Sequence, residues 1–185
     1  MSPATTALVT AEDFFALPAP ADGSKQELVR GEVVAMPSPG LEHGEVQGNV
    51  YFAIKSFLKS NPIGRAVVES GAVTERGPDT VRGPDVSFYS VARLPLGQRV
   101  QKYHTEVPDL CVEVASPSNT LRKLKDKAKE YLFAGVRAVW IVDPEDRTVT
   151  IITEPLESRV LEAGATLDGG DVLPGFNCKV AELFA

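Results

Sequence analysis

Leu110-Cys111-Val112-Glu113-Val114-Ala115 is the stretch that decides how this chain folds. Read as a strand, it places Cys111, Glu113 and Ala115 on one face and Leu110, Val112 and Val114 on the other. Apolar residues on both faces put it in the middle of a sheet that is covered on both sides. Its one acid is then out of place, because a carboxylate in such a strand is costly unless a cation, a metal or hydrogen bonds stabilise it.

Working outward towards the C-terminus, Ser118, Asn119 and Thr120 are capping residues. They open a helix that turns Leu121, Leu124, Ala128 and Leu132 inward and closes at Gly135. Val136 to Asp143 is a second continuous apolar strand, and Thr148 to Thr153 pairs with it across Pro144–Arg147. Arg159–Glu162 forms one more strand, and Val180–Phe184 a last helical turn.

Towards the N-terminus, Ala66–Val73 and Val86–Tyr89 are strands joined through the turn-rich Arg76-Gly77-Pro78-Asp79. Before them, Val46, Val50, Ala53, Ile54, Phe57 and Leu58 recur at helical spacing until Asn61-Pro62 stops the run. Glu27 to Met36 is a hairpin or bulged pair centred on Arg30-Gly31. A short first helix starts at a capping box, Thr10 with Asp13, with Val9 stapled to Phe14, and ends at Leu17-Pro18. The expected architecture is one α/β domain over residues 1–185. It carries a mixed sheet in the order helix, strand, strand, strand, helix, strand, with a core of about 27–153, a capping helix of about 10–17 and added β structure at either end.

The anomalous acid needs a partner. The helix after Leu110–Ala115 returns across the sheet, and Lys127 lies roughly 11 Å along its axis. Glu113 lies roughly 7–10 Å back from the strand end, so the two side chains can meet. At about 100° per residue, Lys127 shares a shoulder of the apolar stripe with Leu124 and Tyr131; Lys125, on the opposite shoulder, is its rival. Asp85 follows Pro84 at the mouth of Val86–Tyr89 and is the second acid in a telling place. Each residue also has a plain reading. Asp85 can simply begin a turn, as Asp79 does, Asp109 is another Pro-Asp at a strand start, and Glu113 with Lys127 can be a buried salt bridge and nothing more.

These positions, Pro84-Asp85 and then Glu113 two residues before Ala115, resemble the PD-(D/E)XK nuclease pattern with its last lysine missing. More closely, the chain resembles the Uma2 family of restriction-endonuclease-like proteins, formerly a domain of unknown function. The stretches that carry this are Glu27–Pro39, His43, Gly83–Val86, Pro108–Ser118, Lys127, Tyr131–Val136 and Trp140–Pro144. The resemblance implies a restriction-endonuclease-like fold and metal-dependent cleavage of DNA phosphodiesters. It maps the family's two acids to Asp85 and Glu113, both metal ligands, and its lysine, displaced from strand to helix, to Lys127. Glu27, Glu32 and His43 fall in matching stretches and are further candidates for metal or substrate contact. Mg²⁺ or Mn²⁺ suits such hard oxygen ligands. The alternative is a nuclease-fold module without turnover that binds nucleic acid or a protein partner. A homodimer is expected, because cutting both strands of a duplex needs two sites.

Composition sets outer bounds. The 185 residues are 43% hydrophobic and 24% charged, the balance of a globular protein rather than a disordered one. A net charge of −6 argues against coating nucleic acid by bulk electrostatics, but a local basic strip remains compatible with it. No apolar run approaches the roughly 20 residues that span a bilayer, and Met1–Ala7 lacks the pattern of a signal peptide. A reducing cytoplasm is the expected location. Two cysteines and two histidines without tight ligand spacing argue against structural zinc, and Ser116, Ser118 and Cys111 have no base to make them nucleophiles.

Overall fold

The computed structural model describes residues 8–100, 104–117 and 119–185. Ser118, one of the three expected capping residues, and the Met1–Ala7 stretch lie outside them. The chain runs α1 (Ala11–Ala16), β1 (Lys25–Val29), β2 (Glu32–Met36), α2 (Leu41–Ser60), β3 (Gly64–Val68), β4 (Ala72–Glu75), β5 (Thr80–Arg82) and β6 (Val86–Ser90). It continues with β7 (Leu110–Val114), α3 (Leu121–Phe133), β8 (Ala138–Asp143), β9 (Thr148–Glu154), β10 (Glu157–Leu161), β11 (Thr166–Asp168) and β12 (Asn177–Lys179). A 3-10 turn, Val180–Phe184, closes it.

Six strands form the main sheet in the order β10-β9-β8-β7-β6-β3. Every residue of β7 is buried. It pairs antiparallel with β6 and parallel with β8, so α3 is the crossover between the two parallel strands. The expected core order is therefore present, as α2, β3, β6, β7, α3 and β8. The alternation of β7 also holds. Leu110, Val112 and Val114 pack with Val46, Val50, Ile54 and Leu58 of α2, whereas Cys111 packs with Leu124, Ala128 and Tyr131 of α3. Glu113, two residues from Cys111, thus faces α3.

Ala66–Val73 is not one strand. Glu69 adopts a left-handed φ of 53° that breaks the extended run, leaving β3 on the main sheet and sending β4 to a separate four-stranded sheet ordered β2-β1-β5-β4. The Glu27–Met36 hairpin belongs to this second sheet. Its Arg30-Gly31 turn has φ values of 50° and 81°, the left-handed pair that a two-residue type I′ connection requires. The three-residue β5 is too short to stand out as a periodic signal, and so are β11 and β12, which pair as a two-stranded ribbon whose Leu167 joins the same apolar cluster as α2. Thr10 caps α1 as expected, its Oγ1 accepting from the Asp13 N–H at 3.1 Å, and Val9 and Phe14 join the small cluster around Leu28 and Val81. In α3, Leu121 is 40% exposed rather than inward, because it sits in the first turn, beyond the covered part of the sheet; Leu132 is half-buried, and Tyr131 takes the inward place. No helix among the described residues is long and apolar enough to cross a membrane.

Gly64 opens β3 at a close approach to β6. A Cβ there would lie 2.2 Å from the Tyr89 carbonyl oxygen and 2.5 Å from the Phe88 ring, and Phe88 is fully buried. Gly64→Ala is expected to destabilise the fold by about 1–3 kcal/mol, the usual cost of overpacking, read as a lower urea midpoint with unchanged slope.

Candidate functional site

Five elements converge where α3 crosses the end of β7. Glu113 enters from β7, and Asp85 stands one residue before β6. The antiparallel register, Val86 opposite Val112, continues to bring Asp85 beside Glu113. Lys127 comes from the second turn of α3, and its ammonium is 2.9 Å from Glu113 Oε1. Tyr131, one turn further along α3, donates its hydroxyl to the same Oε1 at 2.7 Å. The helix thus supplies two donors to one carboxylate oxygen.

The second sheet completes the cluster. Glu27 of β1 accepts from Lys127 Nζ at 2.8 Å and from the Gly83 N–H at 3.1 Å through Oε1, and from Arg82 Nη1 at 2.9 Å through Oε2. Arg82 reaches on to Glu130 of α3 at 2.7 Å. On the other flank Asp85 Oδ2 accepts the Val114 N–H at 2.7 Å. Its Oδ1 lies 3.4 Å from His43 Nε2 and 3.6 Å from Lys25 Nζ. Lys25 is paired with Glu69 at 2.7 Å, and Gln47 of α2 bridges Glu69 and the Asp85 carbonyl.

Burial sets the protonation of these groups. Desolvation works against the Lys127 ammonium, but Glu113 and Glu27 more than offset it and hold its pKa above the ordinary lysine value. Glu113 moves the other way from a typical paired acid. Complete burial pushes its carboxyl up, with Asp85 adding to the push, and Lys127 and Tyr131 only partly compensate. For Glu27, burial is outweighed by Lys127, the Gly83 N–H and Arg82, so its carboxyl lies below the ordinary range. Asp85 is likewise lowered, burial being outweighed by His43, Lys25 and the Val114 N–H. The hydrogen bond to Asp85 in turn raises His43. Cys111, fully buried, is pushed up by desolvation and stays an unreactive thiol.

Asp85, Glu113, Lys127, Glu27 and His43 are therefore gathered in one place. Glu32 is not; it is exposed, opposite Val29 beside the hairpin turn. Lys125 is half-buried on another side of α3, whereas the Lys127 side chain is 11% exposed at the cluster. His43 sits at the start of α2, yet its side chain is turned in against Asp85, and its buried Nδ1 has no hydrogen-bond partner among the described residues. Sequence reasoning missed Arg82 and Lys25 as cluster members and saw Tyr131 only as part of an apolar stripe. The available signal for Tyr131 was its i+4 spacing from Lys127. For Arg82 none was visible, because β5 itself was not.

Among the described residues, no group of three or more His, Cys, Asp or Glu side chains is arranged to hold a metal by itself. Asp85 and Glu113 are carboxylates of the type that a hydrated hard cation takes one or two at a time, completing its coordination with waters and substrate phosphate. The Tyr131 and Lys127 bonds both end on Glu113 Oε1, leaving Oε2 outside that pair of contacts.

Comparison with known proteins shows the family and the fold. The model of the Uma2 family, described as "Putative restriction endonuclease", matches residues 11–181, and the chain belongs to that family. The crystal structure of a "putative nuclease belonging to DUF820" from Anabaena variabilis is similar at a TM-score of 0.81 and 23% identity, covering 95% of this chain and 97% of that one. At that identity the likeness is one of fold. No curated protein matches the chain.

Removing one partner of a buried ion cluster strands the others. Lys127→Ala is expected to cost roughly 3–5 kcal/mol in urea unfolding, and Lys125→Ala no more than about 0.5 kcal/mol. The acid side has a definite sign. Glu27 is depressed in the folded state, so its contribution is present above the ordinary value of 4.5 and lost as pH falls through the folded value. Glu27→Gln should therefore flatten the acid limb of a stability–pH curve; an unchanged slope below pH 4.5 would contradict the assignment.

Proposed function

We propose that this Uma2-family chain is a metal-dependent endonuclease that hydrolyses DNA phosphodiester bonds, with Asp85, Glu113 and Lys127 as its catalytic residues. The observation that carries the reading is the Lys127 ammonium 2.9 Å from Glu113, delivered from α3 to the face of β7 beside Asp85. Two carboxylates and a lysine are a set suited to metal-assisted phosphodiester hydrolysis, and here the lysine arrives from a helix, Ala115 standing at the strand position where the PD-(D/E)XK pattern has it.

Asp85 and Glu113 would hold Mg²⁺ or Mn²⁺. Such an ion, when bound, polarises the scissile phosphate and makes a water more acidic. The chain's own residues do the rest. Lys127 presents a fixed positive charge to the phosphate, where it stabilises negative charge developing on the non-bridging oxygens or orients the attacking water. Glu27 keeps that ammonium in place and is itself braced by Arg82 and Gly83. Tyr131 fixes the rotation of the Glu113 carboxylate, and the Val114 N–H fixes that of Asp85. His43, against Asp85 Oδ1, is placed to steady that ligand. The substrate on this reading is DNA, and the working unit is a homodimer in the cytoplasm.

One observation favours a second reading. Lys127 already contacts two carboxylates, so the cluster is partly charge-compensated without metal, as a binding module without turnover would need. Titration and turnover separate the two. The wild-type protein is expected to bind Mn²⁺ by calorimetry and to nick plasmid DNA in its presence. Asp85→Asn and Glu113→Gln should lose both. Lys127→Met should keep Mn²⁺ binding and lose about 10²–10³-fold in cleavage rate, the usual effect of removing one charge-stabilising donor. Wild-type protein that binds duplex DNA but neither Mn²⁺ nor cleaves would decide for the module.

A further inference from the structure

The longest helix carries two stripes. Val46, Val50, Ile54 and Leu58 of α2 are buried against the main sheet. On the opposite side Leu41, Glu45, Gly48, Phe52, Lys55 and Lys59 are all exposed, Leu41 at 83% and Phe52 at 69%. Their spacing alternates between four and three residues along the whole helix, the repeat by which one helix lies along another. Glu45 and Lys55 have no ion-pair partner among the described residues. A Cβ on Gly48 would meet nothing within 4 Å, so the glycine is not there to make room for the chain's own packing.

The arrangement is self-complementary. Leu41 and Lys59, Glu45 and Lys55, and Gly48 and Phe52 are each symmetric about Val50. If two α2 helices lie antiparallel across a two-fold axis at that level, one register satisfies every position. Phe52 of one copy then covers Gly48 of the other, Glu45 faces Lys55, and the Leu41 side chain lies along the aliphatic stem of Lys59. Each contact occurs twice. A partner of unrelated sequence would have no reason to match a symmetry internal to this helix.

We propose that the exposed face of α2 is an isologous interface that pairs two copies of this chain antiparallel about Val50. The seam spans roughly 27 Å of helix. It uses none of the residues of the Asp85–Glu113–Lys127 cluster, so it stands or falls independently of the nuclease reading, although the homodimer of that reading would be built on it.

Sedimentation of the full chain at low salt over a range of concentrations tests the seam. Wild type is expected to show a monomer–dimer equilibrium. Phe52→Ser should weaken it by about 30-fold, the effect of losing a central anchor. Gly48→Gln should also weaken it while leaving the thermal melt of the monomer unchanged or raised, since the site is open and glycine is a poor helix former. Glu45→Lys and Lys55→Glu should each weaken it about tenfold, because two symmetry-related pairs turn repulsive. Mixing those two variants should restore dimer, because each copy then presents the charge the other lacks. A monomer at every concentration overturns the proposal. So does a dimer indifferent to Phe52 and to both charge reversals, or a mixture that fails to recover.

Discussion

Glu113 stands in a strand whose five residues are all buried, and only 3% of the residue is exposed. Left unpaired, a charge there would cost several kcal/mol, enough to consume much of the stability of a small fold. The rest of the site follows from meeting that constraint. The helix after β7 has to cross back at a height that brings Lys127 to the carboxylate, and Tyr131 one turn later supplies the second donor. Burial of Lys127 then creates a further demand, met by Glu27 from the second sheet. Glu27 in turn is braced by Arg82 and the Gly83 N–H. A chain of compensations beginning at one acid thus ties β7, α3, β1 and β5 together.

This chain of compensations explains why the small sheet packs where it does. Its own apolar cluster is modest, formed around Ala11, Leu28 and Val81. Polar ties to α3, through Glu27–Lys127 and Arg82–Glu130, add direction that a few apolar contacts do not supply. Charge-assisted bonds of this kind fix geometry more than they add stability. The cluster of Glu27, Arg82, Lys127 and Glu113 is held in one arrangement by that property.

The elements with strong apolar patterns, α2, β7, α3 and β8, were legible from the sequence. Burial follows the pattern in β7 and β8, whereas in α3 Leu124 and Ala128 are buried but Leu121 and Leu132 are not. The Glu113–Lys127 meeting was legible too, because helix rise and strand rise can be compared on paper. What escaped was decided by conformation at single residues or by very short elements. Glu69 ends β3 by taking a left-handed φ, which an acidic residue does not advertise, and a three-residue strand such as β5 has no period to detect. Arg82 was lost with β5, and with it the reason Glu27 is buried. Tyr131 looked like one more apolar position because only its ring pattern, not its hydroxyl, enters a hydrophobic stripe. Glu32 looked as good as Glu27 on paper, being the other acid of the same hairpin. The main structural difference is that Glu27 is a buried residue on β1, whereas Glu32 begins β2 at the exposed turn.

The central claim is that Asp85 and Glu113 are ligands of a divalent cation served by Lys127, rather than three members of a structural salt-bridge cluster. Anomalous diffraction from crystals soaked in Mn²⁺ tests it most directly. The account predicts a single strong peak within about 2.0–2.2 Å of an oxygen from each carboxylate, with the Lys127 ammonium still at its edge. Crystals at saturating Mn²⁺ that show no peak between the two carboxylates, with Lys127 unmoved against Glu113, would contradict it.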